Sequence, residues 1–171
     1  KQMAPAMSVD DALNKLYTTG APIIDARNSL TFRRIQIDEA LGVTIPEDVW
    51  EALYYNNPNL QGIPVAIRNE GSGFIDRFFN AGQSPVEGVG AANYSVRWIR
   101  TPTFDQEGTY RFSVTGDDGV RLYIDGQSMI PDGWRDQSPT TYNVEEHLEA
   151  GNHEIRLEYY QAAGPAQVRL N

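Results

Sequence analysis

Between Tyr110 and Gly126 the chain reads as two alternating stretches split by an acidic pair and closed by a tight turn. Tyr110, Phe112 and Val114 alternate with Arg111, Ser113 and Thr115. Past Gly116-Asp117-Asp118-Gly119, the residues Val120, Leu122 and Ile124 alternate with Arg121, Tyr123 and Asp125. A period of two sends one set of side chains to each face of an extended chain, so both stretches are predicted strands with one buried face. Asp125-Gly126 is a two-residue hairpin signal, because both central positions of a type I′ turn need positive φ. Two adjacent carboxylates at the end of such strands repel unless a cation neutralises them. A chain organised around this stretch is a β protein with a charged corner.

The same signature runs from Trp50 to the C-terminus. Residues 50–55 precede the strong turn Asn56-Asn57-Pro58-Asn59. Further strands are expected at residues 63–67, 74–79, 94–99, 140–144, 154–160 and 166–170, with loops at 131–139 and 161–165 between them. Short strands at regular spacing predict an antiparallel β-sandwich or barrel over residues 49–171. Residues 1–48 read differently. Ser8 is placed to cap a helix through Tyr17, with Asp10 and Asp11 in its first turn. A second helix is expected from Thr31 to Gly42, with Phe32, Ile35 and Leu41 inward. This segment is predicted to be a helical extension or linker.

The 171 residues carry 14 Lys and Arg against 23 Asp and Glu, a net charge of −9. That balance argues against nucleic acid and anionic membrane surfaces as partners. With no cysteine there is neither disulfide nor thiol chemistry. No stretch reaches the ~20 apolar residues of a membrane-spanning helix. The chain opens at Lys1-Gln2, which leads us to expect a piece of a longer protein.

Few residues offer chemistry. His147 and His153 are the only histidines and are expected on turns or the surface, since nothing completes a transition-metal site around them. Glu145, Glu146 and Glu149 read as a solvated edge. Glycosidases need two carboxylates about 5–10 Å apart across a cleft, which adjacent residues do not provide, and no Gly-x-Ser-x-Gly motif occurs. The chain is therefore not expected to be an enzyme. Trp134, flanked by Arg135 and Asp136, either plugs the core or offers a ring face to a sugar with polar neighbours for its hydroxyls. Trp50 and Trp98 lie in predicted strands and are assigned to the core.

Four segments together resemble the protective-antigen-type (PA-14) domain family. They are residues 50–55 with Asn59-Leu60-Gln61-Gly62, residues 94–98, residues 108–126, and residues 148–160. The resemblance implies a jelly-roll-type β-sandwich and a non-catalytic role, most often Ca²⁺-dependent carbohydrate binding. It further implies that Asp117 and Asp118, joined by a cis peptide, hold Ca²⁺ with help from a loop near the C-terminus. On this chain that loop offers the Gln161 amide and the Ala163 and Pro165 carbonyls. Gln161 replaces an Asn of the family pattern, and Pro165 stands where flocculins carry an aromatic residue. The implied partners are a glycan or monosaccharide, bound with Asp117, Asp118 and Gln161, and other domains of a longer parent chain; the residue chemistry of Trp134, Arg135 and Asp136 adds them as candidate glycan contacts at the rim. The implied setting is a lectin-like or adhesin-like module of a bacterial cell-surface or secreted protein. Two alternatives stay open: a structural or protein-interaction module without sugar binding, and a toxin-type prodomain.

Overall fold

In the computed structural model, residues 48–171 are described in full, together with the backbone of two earlier strands. The chain divides into two units, Lys1–Pro46 and Glu47–Asn171. In the first, β1 (Ala21–Ile24) and β2 (Thr31–Arg34) pair antiparallel, with Ala21 opposite Arg34 and Ile24 opposite Thr31. This corrects the start of the helix expected from Thr31 to Gly42, whose remaining residues 35–42 fall outside the described ones. The i, i+3 spacing of Phe32 and Ile35 imitates a helical stripe. The β-branched Ile23-Ile24 and Thr31, however, favour extended backbone. The helix expected from Ser8 to Tyr17 falls outside the described residues.

In the second unit alternation dictates the sheets. Its strands are β3 (Glu51–Tyr55), β4 (Ala66–Asn69), β5 (Ile75–Phe79), β6 (Tyr94–Arg100), β7 (Thr103–Phe104) and β8 (Gly108–Asp117). There follow β9 (Gly119–Ile124), β10 (Gln127–Ser128), β11 (Thr140–Leu148), β12 (Gly151–Asn152), β13 (Ile155–Gln161) and β14 (Ala166–Leu170). A six-stranded sheet has the order β10-β9-β13-β6-β3-β4 and a four-stranded sheet the order β11-β8-β14-β5, with a small β12-β7 pair beside them. Every pairing is antiparallel. The expected antiparallel β-sandwich is what the chain forms. The strand expected at 63–67 starts only at Ala66, after Pro64, which has no N–H for a ladder.

The inward residues of β3, β6, β9 and β13 meet those of β8 and β14 in one core. Trp98, Tyr94, Tyr159, Leu122, Leu157, Val114 and Val168 are its most enclosed members. Trp98 lies 6.4 Å from Tyr54 and 6.5 Å from Tyr159, centroid to centroid, and Tyr94 lies 6.2 Å from Tyr159 in an edge-to-face arrangement. Trp50 is also buried, so both strand tryptophans are core residues as expected. The polar tip of Trp98 is met by Glu70, on the crossing from β4 to β5. Its carboxylate accepts from Trp98 Nε1 at 3.0 Å, from Arg77 at 2.7 Å and from the Tyr54 hydroxyl. A buried indole N–H finds a partner in this way and costs little.

On the outer face of the six-stranded sheet, register places Glu158 opposite Arg97 on one side and Arg121 on the other. Each guanidinium reaches the Glu158 carboxylate at 2.7 Å. Glu158 is 2 % exposed, and a carboxylate so enclosed persists because two cations flank it.

The Asp125-Gly126 turn takes φ values of 48° and 81°, as the hairpin signal requires. His153 latches it: Nδ1 meets Asp125 Oδ2 at 2.6 Å and Nε2 meets the Glu149 carbonyl at 3.0 Å. The bond to Asp125 raises the His153 pKa above its ordinary value. The protonated form is thus the one the fold favours. Its contribution is complete below about pH 6.5, the unfolded value, and is lost as pH rises through the higher folded value. Melting temperature is expected to fall across that window in the parent domain and to be flatter in His153→Gln. An unchanged slope in the variant would contradict the latch.

Candidate functional site

Strand β8 belongs to the four-stranded sheet and β9 to the six-stranded one. Asp117-Asp118 is therefore a corner where the chain leaves one sheet for the other, and the bond between the two residues is cis. Strands β13 and β14 make a second crossing between the same two sheets, through residues 162–165. The two corners touch: the Ala162 N–H donates to Asp118 Oδ2 at 2.8 Å. Topology alone brings the acidic pair and the Gln161–Pro165 loop to one end of the sandwich.

Local packing explains the glycine after the pair. A Cβ on Gly119 would stand 2.0 Å from the Tyr160 ring, so no larger residue fits while that ring keeps its place. Tyr160 in turn donates its hydroxyl to Asp136 Oδ1 at 2.7 Å. Trp134 packs on the same ring, 4.8 Å between centroids, and the Arg121 guanidinium lies 3.8 Å over the indole. Gln137 Nε2 donates to the Asp118 carbonyl at 3.0 Å. The 134–137 loop is thus bound to the acidic corner. Trp134 is half-buried with one neighbour stacked on it, Asp136 is engaged by Tyr160, and the Arg135 side chain is exposed.

Tyr159 and Gln161 lie beneath the pair. The Tyr159 hydroxyl is 2.5 Å from the Asp117 carbonyl and 2.5 Å from Gln161 Oε1. Gln161 is fully enclosed, and its Nε2 donates to the carbonyls of Ala163 at 2.8 Å, Pro165 at 3.1 Å and Gly164 at 3.4 Å. Tyr94, beside Tyr159, has a buried hydroxyl with no partner among the described residues. Burial lifts the Tyr94 and Tyr159 hydroxyls well above the ordinary tyrosine value, so both stay protonated. Sequence reasoning took Tyr94 and Tyr159 only as core residues. Their inward-facing positions were readable, but their shared end of the sandwich was not.

Among the described residues no donor reaches the Asp117 carboxylate, whereas Asp118 has the Ala162 N–H. Burial first, and then the negative charge of Asp118, raise the pKa of Asp117. The oxygens gathered here are two carboxylates and the loop carbonyls, while the Gln161 amide turns its oxygen to Tyr159 and its N–H group to the loop. Hard oxygen donors of this kind suit Ca²⁺, which takes about 6–8 of them, and do not suit a thiolate- or imidazole-seeking metal. Among the described residues, the acidic corner included, no three His, Cys, Asp or Glu side chains gather, so the corner has only two carboxylates to offer. An apolar cleft of about 240 Å³, lined by Trp50, Phe74, Phe104, Phe112, Ile155 and Leu170, lies at the other end. Ile155 and Gln161 are the first and last residues of β13, so the cleft is far from the acidic corner.

Similar proteins sharpen the picture. The anti-sigma-I factor RsgI3 of Acetivibrio thermocellus is 40 % identical over 88 residues, which are 51 % of this chain and 14 % of that protein. A solved anti-sigma factor domain-containing protein is 36 % identical with a TM-score of 0.63, over 70 % of this chain and 40 % of that one. The chain thus spans well under half of either relative. A PA14 sugar-binding domain from an RTX adhesin has the same fold at 18 % identity, with a TM-score of 0.54 over 73 % of this chain and 89 % of that one. The PA14 domain family matches residues 47–171, the whole of the β unit. The chain belongs to the PA14 domain family.

Proposed function

We propose that this domain is a non-catalytic, calcium-dependent glycan-binding module on the extracellular side of a longer bacterial protein. The observation that carries the reading is the Asp117 carboxylate, raised in pKa and without a donor, beside a second carboxylate and a loop of backbone carbonyls. Asp117 and Asp118 would hold the ion with the Gln161 amide and the Ala163 and Pro165 carbonyls. When bound, Ca²⁺ supplies open coordination positions that adjacent sugar hydroxyls can fill. Trp134, braced by Arg121 and Tyr160, forms a pre-set wall beside the corner, and Arg135 and Asp136 offer polar contacts at its rim. Two relatives at 36 % and 40 % identity are named as anti-sigma factor proteins, which fits a domain whose bound glycan serves as a signal for the rest of its chain.

A glycan array probed with the domain in calcium and again in chelator tests this. Hits are expected only with calcium; equal binding in both, or none in either, would overturn the reading. One observation favours interaction with protein instead: Ile63 before β4, Phe74 before β5 and Phe78 within β5 are 90 %, 76 % and 61 % exposed. The array distinguishes the two readings, since a pure interaction module gives no calcium-dependent hits.

A further inference from the structure

We propose that the Gln161 side-chain amide is a two-position element that senses the cation, with the Tyr159 hydroxyl as the partner that permits both positions. The inference rests on the cation reading above. Its motivation is a proton count. Tyr159 has one hydroxyl hydrogen but stands 2.5 Å from two acceptors, the Asp117 carbonyl and Gln161 Oε1. With the amide in this position one of the two contacts brings oxygen to oxygen without a hydrogen between them. The gain is at the other end, where Gln161 Nε2 serves three loop carbonyls, two of them at 2.8 and 3.1 Å.

Turning the amide over reverses the balance. Nε2 then donates to the Tyr159 oxygen, Tyr159 gives its hydrogen to the Asp117 carbonyl, and both Tyr159 contacts carry a hydrogen. Oε1 now faces the carbonyls of Ala163, Gly164 and Pro165, a set of oxygens that a cation can draw together. Without a cation each position of the amide leaves oxygen against oxygen, at Tyr159 or at the loop, and with a cation at the loop one position does not. Gln161 is fully enclosed, so the unmet contact cannot be made up by solvent. The Gln161 side chain spans from the Tyr159 hydroxyl to the loop carbonyls.

Three measurements on the 171-residue chain test this with CaCl₂ alone as probe. The side-chain ¹⁵N–H resonances of Gln161, assigned by their loss in Gln161→Glu, are expected to shift on calcium addition as the N–H group changes partner from carbonyl to phenol. Tyr159→Phe is expected to weaken calcium binding about tenfold, the size of one buried hydrogen-bond partner removed. Gln161→Glu places a carboxylate against the loop carbonyls. It is expected to melt below the parent without calcium and to gain more than the parent when calcium is added. If the parent responds to calcium while its Gln161 resonances stay still and Gln161→Glu gains no more than the parent, the two-position element is wrong and the cation reading stands. If the parent shows no calcium response at all, both fall.

Discussion

Trp98→Ala is expected to cost about 4 kcal/mol of folding free energy, the middle of the range for a buried aromatic residue. Trp98 is 1 % exposed, and its ring is wedged between Tyr54 and Tyr159, so the neighbours cannot close the space without losing their own contacts. The change also strips the Glu70 carboxylate of its indole donor on the crossing between the two sheets. At roughly 4 °C per kcal/mol for a domain of this size, the melting temperature should drop by about 15 °C. Urea titration followed by tyrosine fluorescence and far-ultraviolet circular dichroism measures it. A loss under about 1 kcal/mol would mean that the core around β6 and β13 is not packed as described.

The second large effect concerns sign as much as size. Asp117→Asn is expected to raise the melting temperature of the calcium-free domain and to abolish any gain from calcium. Burial and Asp118 raise the Asp117 pKa, so the charged carboxylate is the form that the fold disfavours. The calcium-free parent should therefore lose stability as pH rises through the ordinary carboxylate value of about 3.9 towards the folded one, and hold that lower stability at neutral pH. A neutral amide of the same shape removes the repulsion. Calcium at about a hundred times its dissociation constant would give the parent about 2.7 kcal/mol, or roughly 10 °C, and the variant nothing. Scanning calorimetry with and without calcium reads both halves. A variant that melts lower without calcium, and still gains from it, would contradict this account of the corner.

What could be read from the residues in advance is what is local. The Asp125-Gly126 turn followed from the φ demands of two positions, and the burial of Trp50 and Trp98 followed from alternation alone. The acidic pair was conspicuous because two adjacent carboxylates between apolar strands call for an explanation. The strand β2 was misread because Phe32 and Ile35 lie three apart, a helical spacing, while the four residues of β2 are too few for an alternation to show. The sheet crossing at Asp117-Asp118 could not be read from alternation, which is the same whether β8 and β9 share a sheet or not. Glu70 and Tyr159 were invisible as polar partners because their contacts span 28 and 42 residues. The stacking of Arg121 on Trp134 likewise depends on a loop folding over a sheet face, which residue types do not encode.

The proposed calcium site stands or falls with Asp117 and Asp118. Isothermal calorimetry of CaCl₂ into the chelator-treated domain, beside the Asp117→Asn/Asp118→Asn double variant, is the decisive test. Saturable one-site binding in the parent and none in the variant is the predicted result. No heat of binding in the parent, or the same isotherm in both proteins, would contradict it.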